Sequence, residues 1–233
     1  HSIERHGFRY DSQEDFARNV LGEIGCVKSE MCDLKSYEST TMKTDDFRVV
    51  YDDYENFLRY RGKIDFDDML VFTYELLSQR QDILDMWRNR FQYILIDEFQ
   101  DINTIQYDTV KLLAKERNNI FAVGDDDQSI YGFRGAAPAI MKRFPKDFPG
   151  TKIEYLNMNY RCSYDVVECS KRIIKNNTDR YDKNLQSAFA PGESDRVHIV
   201  KVKDGTEQNR KIVDKIRELN SAGIPYSDIA VIF

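Results

Sequence analysis

Two adjacent carboxylates, Asp97 and Glu98, follow a short apolar run at residues 93–96. An unbroken apolar run of this length is typical of a strand that is buried on both faces of a parallel sheet. Ligands of such sheets bind at the carboxyl ends of the strands, and burying two acids without a cation is costly. An acid at this edge can hold a Mg²⁺ that bridges nucleotide phosphates, and its neighbour can activate a water. On this pair alone, however, we favour a plainer interpretation, in which Asp97 caps a turn and Glu98 is solvated.

A second polar motif, Gly124-Asp125-Asp126-Asp127-Gln128, follows the next apolar run, at residues 120–123. Gly124 is expected to permit a tight exit from the sheet, and the amide of Gln128 can donate to a phosphate oxygen or orient a water. Three consecutive acids also suit a solvated turn or a calcium loop, but the EF-hand spacing is absent. The motif therefore adds a candidate phosphate-contacting amide to the acid pair.

Two aromatic residues and an arginine, Tyr131, Phe133 and Arg134, come next among glycines. Aromatic faces and a guanidinium suit base stacking in single-stranded nucleic acid. The alternative is that the aromatic rings fill the core. A further motif, Asn159-Tyr160-Arg161, is uninformative alone, because Arg161 suits a surface cation as well as a phosphate clamp.

The elements that position these residues begin with helices. Residues 13–91 show helical periodicity. One apolar stripe runs from Phe47 to Leu58 and is closed by Gly62, and another, from Phe66 to Leu77, is predicted to be core.

The second half of the chain has the texture of an α/β fold. The runs at 93–96 and 120–123, joined by a helical pattern, predict a right-handed strand–helix–strand crossover. Pro145–Gly150 is the predicted hinge or domain boundary. Beyond it, three further strands are predicted, at 152–156, 197–202 and 229–233, with helical patterns between them.

Composition places limits on the class of protein. The 233 residues are 41% hydrophobic and 32% charged, which is typical of a soluble globular chain, and no apolar run is long enough to cross a membrane. The net charge of −6 argues against a generally basic nucleic-acid coat but allows a local stripe of cations. The four cysteines have neither zinc-site nor CxxC spacing, so we expect reduced thiols and a cytoplasmic location.

The motifs become specific when they are taken together. ILIDEFQD at 94–101, VGDDDQSIYGFRGA at 123–136 and LNMNYR at 156–161 occur in the order and approximate spacing of consecutive helicase motifs. They closely resemble the UvrD/Rep/PcrA branch of the superfamily 1 DNA helicases. IDFDDML at 64–70 resembles the segment upstream of that branch's acid motif, and the resemblance covers about residues 20 to 233.

This resemblance implies an α/β fold with incomplete RecA-like P-loop NTPase motor domains and parallel sheets, preceded by a helical subdomain. Residues 1–62 would be part of a helical insertion, 63–148 the C-terminal half of the first motor domain, and 149–233 the start of the second. It also implies ATP-driven movement on single-stranded DNA, in the 3′-to-5′ direction, in DNA repair or recombination.

The resemblance assigns roles in nucleotide hydrolysis to five residues. Asp97 would bind Mg²⁺, and Glu98 would activate the hydrolytic water. Gln128 would contact the γ-phosphate of ATP and couple it to DNA. Tyr160 would stack on the adenine, and Arg161 would be an arginine finger.

The same resemblance places Tyr131, Phe133 and Arg134 along the single-stranded DNA track. The family commonly has tryptophan where this chain has Phe133, so weaker stacking is expected there. Gly132 replaces a frequent arginine, which removes one phosphate contact.

One expected motif is missing: the chain contains no G-x-x-x-x-G-K-[ST] loop, and Gly62-Lys63 lacks the other required residues. That loop and a later arginine motif would lie outside residues 1–233. We therefore predict that this polypeptide alone has no significant ATPase or unwinding activity. A sheet without its phosphate-loop strand would expose a hydrophobic edge, so self-association is a further hypothesis.

Two alternatives remain open on sequence grounds. One is a helicase–nuclease subunit of the AddA/RecB kind, which shares the DEFQD signature and would carry its nuclease motif beyond residue 233. The other is a non-catalytic helicase relic that binds nucleic acid or a partner protein. Joint retention of Asp97, Glu98, Gln128 and Arg161 argues against the relic.

Overall fold

The computed structural model describes residues 12–114, 117–132, 139–192 and 197–233, which divide into two compact units. The first unit runs to Tyr155 and takes in a separate segment, Thr178–Asp182. The second comprises Leu156–Asn177 and Lys183–Phe233. The chain therefore leaves the first unit, returns to it for five residues and leaves it again.

In the N-terminal part of the first unit, the described residues form four helices, as the periodicity predicts. They are α1 (Gln13–Ser29), α2 (Thr44–Tyr60), α3 (Phe66–Gln79) and α4 (Gln81–Arg90). A reciprocal capping box of Asp65 and Asp68 begins α3, satisfying backbone N–H groups that would otherwise lack partners. After α2 ends, Gly62 takes a φ of +60°, the left-handed conformation that glycine adopts most easily.

A first core cluster lies between α1 and α2. Its buried residues come from one face of each helix, three or four positions apart, as expected for an amphipathic pair. They are Val20, Ile24, Val27, Phe47 and Val50.

The predicted crossover is confirmed as strand, helix and strand. β1 (Ile94–Ile96) pairs in parallel with β2 (Ile120–Ala122), with Ile94 opposite Ile120, and α5 (Thr104–Ala114) connects them. A second helix, α6 (Ala139–Asp147), follows the second polar motif along the chain.

One face of this small sheet carries the second core cluster. The side chains of Ile94, Ile96, Ile120 and Ala122 pack against it. Its buried members are Phe99, Ile102, Tyr107, Ala114, Ile140, Phe144 and Phe148. On the other face, Leu95 is 74% and Phe121 63% exposed, so the prediction that these strands are buried on both faces is wrong for the described chain.

The apolar stripe predicted as core on α3 is only partly buried. Leu77 is buried, but Phe66, Met69 and Leu76 are exposed. The reason is tertiary: α3 packs against α1, α4 and α5, and these three side chains point away from that packed side. The sequence showed the stripe but not which neighbours would be there to cover it.

The predicted hinge at Pro145–Gly150 begins inside α6, which contains Pro145. Phe148, just beyond the helix, is buried in the second core cluster, and Gly150 takes a φ of +92°. The described chain stays in the first unit until Tyr155.

The second unit contains a two-stranded parallel sheet and two helices. β3 (Met158–Asn159) pairs with β4 (Gln186–Ser187), and the helices are α7 (Tyr164–Ile174) and α8 (Gly205–Ser221). The three runs predicted as strands after residue 150 form no ladder among the described residues, so those predictions are wrong. A strand requires a neighbour for its backbone groups, and periodicity does not supply one.

Two expectations from composition can be compared with the structure. All four cysteines are free thiols, as predicted. Within the described residues, no helix is both long and apolar enough to cross a bilayer.

Candidate functional site

The polar motifs that follow β1 and β2 meet at one edge of the sheet. The ladder continues past both strands, since the N–H of Val123 donates to the carbonyl of Ile96 and the N–H of Phe99 donates to that of Val123, both at 2.8 Å. These bonds bring the chain around Glu98 alongside Gly124. The two motifs therefore lie side by side at the carboxyl ends of the two strands.

Glu98 has an unusual backbone conformation, with φ 49° and ψ 43°, in the left-handed region. Its N–H donates to Oδ1 of Asp97 at 2.9 Å, and its Oε2 accepts from Nε2 of Gln100 at 2.8 Å. Both Asp97 and Glu98 are exposed, so the argument from costly burial of two acids does not apply to them. Asp97 and Glu98 are candidates for metal binding and water activation because of their position at the sheet edge, and not because they are buried.

Gln100 connects the two motifs and was missed by the sequence analysis. Its side chain is buried; Nε2 donates to Glu98, and Oε1 accepts from the N–H of Asp125 at 3.0 Å. A buried amide that uses both of its functions holds two loops at a defined separation. The only hint in the sequence is its place two residues after Glu98, because burial of a glutamine is decided by tertiary packing.

Gly124 is needed at this edge for close approach rather than for a special turn. A Cβ atom there would meet Oε1 of Gln100 at 2.8 Å and the backbone nitrogens of Phe99 and Gln100 at 3.1 Å. Two of these three atoms are backbone and cannot move aside easily. Glycine is therefore required here because the neighbouring loop leaves no room for a Cβ atom, whereas the sequence suggested a tight exit from the sheet as the reason.

Gln128 ends a short 3₁₀ turn, Asp126–Gln128, that Asp125 organises. The backbone N–H of Gln128 donates to the carbonyl of Asp125 at 2.8 Å, and its Nε2 donates to Oδ2 of Asp125 at 2.7 Å. The side chain is exposed, and its amide oxygen accepts no hydrogen bond from the described residues. Asp125 therefore engages one N–H of the Gln128 amide, and the second N–H of that group is the one that suits a phosphate oxygen.

The carboxylates of Asp125, Asp126 and Asp127 lie close enough together to hold a cation. Protein donors already engage the last two: Arg180 binds Asp127, and the N–H of Tyr181 donates to Asp126 at 2.7 Å. These contacts give the acids a role in holding the turn.

The donor set at the sheet edge fits Mg²⁺ through Asp97. Oδ1 of Asp97 accepts from the Glu98 N–H, and an exposed carboxylate is the kind of oxygen ligand that Mg²⁺ takes together with waters and substrate phosphates. Bound Mg²⁺ would neutralise charge on the phosphate oxygens.

The remaining predicted residues lie elsewhere or outside the described chain. Tyr160 and Arg161 belong to the second unit, where both are exposed after β3, and Oδ1 of Asn159 accepts from the N–H of Arg161 at 2.9 Å. Tyr131 follows the Gln128 turn in the first unit and is 36% exposed. Phe133 and Arg134 lie outside the described residues.

Comparison with known protein families identifies both halves of the chain. The UvrD/REP helicase N-terminal domain family matches residues 8–149, and the UvrD-like helicase C-terminal domain family matches residues 155–233. Two acids stand at the edge of a parallel sheet, and both halves of the chain match helicase domain families. The chain therefore belongs to the UvrD/Rep helicase family.

Curated relatives agree with this assignment. The chain is 40% identical over 229 residues to the putative ATP-dependent DNA helicase YjcD of Bacillus subtilis, covering 96% of this chain and 29% of that protein. It is 33% identical over 228 residues to the ATP-dependent DNA helicase PcrA of Staphylococcus epidermidis, covering 96% of this chain and 31% of that protein. The chain thus spans under a third of the length of these relatives.

Proposed function

We propose that this chain is part of the motor of an ATP-dependent DNA helicase or translocase that couples Mg-ATP hydrolysis to movement on single-stranded DNA. Its family membership and the names of its relatives support the enzyme class. The single structural observation that carries the proposal is the hydrogen-bonded path from Glu98 through Gln100 and Asp125 to Gln128. That path ties an acid able to activate water to an amide able to sense a phosphate.

In this proposal the first unit performs the hydrolytic chemistry. Asp97 would hold Mg²⁺ through a carboxylate oxygen. Glu98 takes a proton from, or orients, the water that attacks the γ-phosphate, and its bond from Gln100 fixes its direction. Gln128 donates the second N–H of its side-chain amide to an oxygen of the γ-phosphate.

Tyr160 and Arg161 are proposed to act from the second unit. Tyr160, which is exposed, would stack on the adenine, and Arg161 would place its guanidinium against the phosphates as an arginine finger. Oδ1 of Asn159 accepts hydrogen bonds from the backbone N–H groups of Arg161 and Cys162, which holds the turn that carries Arg161.

The proposed DNA track contains Tyr131, Phe133 and Arg134. The exposed part of the Tyr131 ring offers a face for base stacking. Phe133 would stack with less area than the tryptophan common in the family, and Gly132 would contribute no phosphate contact.

The same proposal includes finer features of architecture, direction of movement, pathway and location that the family resemblance implies. They are a RecA-like architecture, a helical insertion at 1–62, motor regions at 63–148 and 149–233, 3′-to-5′ movement, a role in DNA repair or recombination, and a cytoplasmic location. The mixed helix and strand content with small parallel sheets is compatible with this architecture.

The decisive experiment replaces Glu98 by glutamine in the full-length protein encoded by the open reading frame that contains these residues. Hydrolysis stimulated by single-stranded DNA should fall by about 10²- to 10⁴-fold, because the water loses its general base. Binding of ATP and DNA should persist, since glutamine keeps the size of the side chain.

A matched control is Glu75→Gln, an equivalent change at an exposed glutamate on α3, which should leave the rate unaltered. Glu98→Gln hydrolysing ATP at the rate of the unmodified protein would refute the proposed role of Glu98. An unmodified full-length protein without DNA-stimulated hydrolysis would refute the proposed function itself.

A further inference from the structure

The segment Thr178–Asp182, which we name the strap, lies in none of the predicted motifs but contacts the acids of the Asp125–Gln128 motif. It belongs to the first unit, although the residues on both sides of it along the chain belong to the second. A short excursion of this kind requires contacts that hold it in place.

The strap is held most firmly at Arg180. Nε of Arg180 donates to Oδ1 of Asp127 at 2.7 Å, and Nη2 donates to Oδ2 at 2.6 Å, so the planar guanidinium meets the carboxylate with two parallel bonds. The side chains are 19% and 16% exposed, respectively, which limits competition from water. The hydrogen bond to Asp127 also raises the pKa of Arg180 above its ordinary value.

Three other contacts align the strap with the first unit. The N–H of Tyr181 donates to Oδ2 of Asp126 at 2.7 Å, and the Tyr181 hydroxyl donates to the carbonyl of Met141 at 3.0 Å. Lys142 on α6 forms an ion pair with Asp179. Arg180 and Tyr181 thus grip two consecutive acids of the motif that ends in Gln128.

The residue that Arg180 binds is part of the hydrogen-bonded path to Glu98. The N–H of Asp127 donates to Oδ1 of Asp125 at 3.2 Å, while Oδ2 of the same carboxylate accepts from the Gln128 side chain. Asp125 in turn donates through its N–H to Gln100, which donates to Glu98. Arg180 stands at the far end of this path.

We infer that Arg180 is a positioning residue for ATP hydrolysis: by fixing Asp127 it holds the Asp125–Gln128 turn, and hence the Gln128 amide, in register with Glu98. This inference rests on the proposed function. Arg180 itself touches neither substrate nor metal in this role.

The test compares steady-state ATP hydrolysis by the full-length protein and its Arg180→Ala variant at saturating single-stranded DNA. We expect kcat to fall by about 10- to 100-fold, since misplacing a catalytic group by roughly 1 Å has effects of this size. The KM for ATP should change by less than about threefold, because Arg180 does not contact the nucleotide.

Two further variants distinguish positioning from loss of a charge. Arg180→Lys keeps the cation but cannot form the two parallel bonds, so only part of kcat should return, and this variant gives the answer should Arg180→Ala fail to fold. Combining Arg180→Ala with Asp127→Ala should lower kcat no further than the more severe single change, as expected for two residues that act through one interaction.

Matched controls are Arg172→Ala, which removes an exposed arginine from α7, and Lys142→Ala, which cuts a different tie of the same strap. Both should keep kcat within about twofold. Full activity in Arg180→Ala, a change confined to KM, or an equal loss in Lys142→Ala would overturn the inference. Failure of the unmodified protein to hydrolyse ATP would instead remove the proposed function on which it rests.

Discussion

At the scale of single residues, the conformation of Glu98 is the feature that most sets this site apart. Left-handed backbone costs a residue with a side chain about 1 to 2 kcal/mol, so surrounding contacts must hold it there. The bonds to Asp97 and Gln100 and the continued ladder at Phe99 supply those contacts. Such strain is typical of positions where the direction of a side chain matters more than local stability.

The close approach of the two loops at Gly124 can be tested by a single substitution. In Gly124→Ala the new Cβ would meet two backbone nitrogens and the Gln100 amide, so the two loops must separate. We expect the free energy of unfolding to fall by about 1 to 3 kcal/mol, as for other cases of overpacking. Urea unfolding followed by circular dichroism measures this change.

Gly22→Ala is the matched control for Gly124→Ala. Gly22 lies inside α1, and a Cβ there meets nothing within 4 Å. Alanine in a helix should therefore stabilise the protein by about 0.5 to 1 kcal/mol. If both glycine substitutions had the same effect, the close approach at Gly124 would not be what matters.

At the scale of elements, Lys28 fastens three helices together. Its ammonium on α1 lies 2.6 Å from Glu55 on α2, 2.7 Å from Asp65 at the cap of α3 and 2.8 Å from Asp68. The Lys28 side chain is buried, and its ammonium also lies over the ring of Tyr54. The three carboxylates could hold a metal ion by their spacing, but the lysine already occupies the place between them.

The pKa values in this cluster determine how its contribution to stability depends on pH. Burial alone raises the pKa of Asp65, but hydrogen bonds from Lys28, the Asp68 backbone and Tyr54 outweigh it and hold the pKa below 3.8. Burial alone lowers the pKa of Lys28, but its bonds to the carboxylates outweigh that and raise the pKa above 10.5. The contribution of Asp65 is thus present above its unfolded pKa and lost in acid, whereas that of Lys28 is present below 10.5 and lost in alkali.

Lys28→Met should destabilise the helical part by about 3 kcal/mol at pH 7, because three clustered carboxylates lose their cation. The deficit relative to the unmodified chain should shrink as the pH falls from 7 towards 4.5, since protonation relieves the repulsion among the acids. Urea titrations at several pH values measure both effects. Lys215→Met, which removes an exposed helical ion pair on α8, should change stability by less than about 0.5 kcal/mol. A deficit that grows in acid would contradict this account.

At the scale of the whole molecule, the 233-residue chain is predicted to be inactive by itself. It contains acids and an amide suited to hydrolysis but no G-x-x-x-x-G-K-[ST] loop to neutralise the phosphates. ATPase assays on the purified chain, with and without single-stranded DNA, should give no turnover above background. Robust DNA-stimulated hydrolysis by this polypeptide alone would contradict the prediction.

Self-association of the isolated chain is a separate expectation. The sheet face that carries Leu95 and Phe121 is uncovered among the described residues, as are Phe66 and Met69 on α3. Exposed apolar surface of this kind favours association in water. Light scattering across a concentration series should show an increase in mass, and a monomer at high concentration would count against the hypothesis.

The sequence by itself determined the family, the helices up to residue 90 and the strand–helix–strand crossover. These follow from local periodicity and from residues close together along the chain, which a sequence displays directly. Tertiary structure alone decided that Gln100 bridges the two motifs and that Arg180 grips Asp127, 53 residues earlier. It also decided which apolar runs found partners: the stripe on α3 and the runs after residue 150 have the composition of core, but burial and strand pairing depend on neighbours that no local pattern specifies.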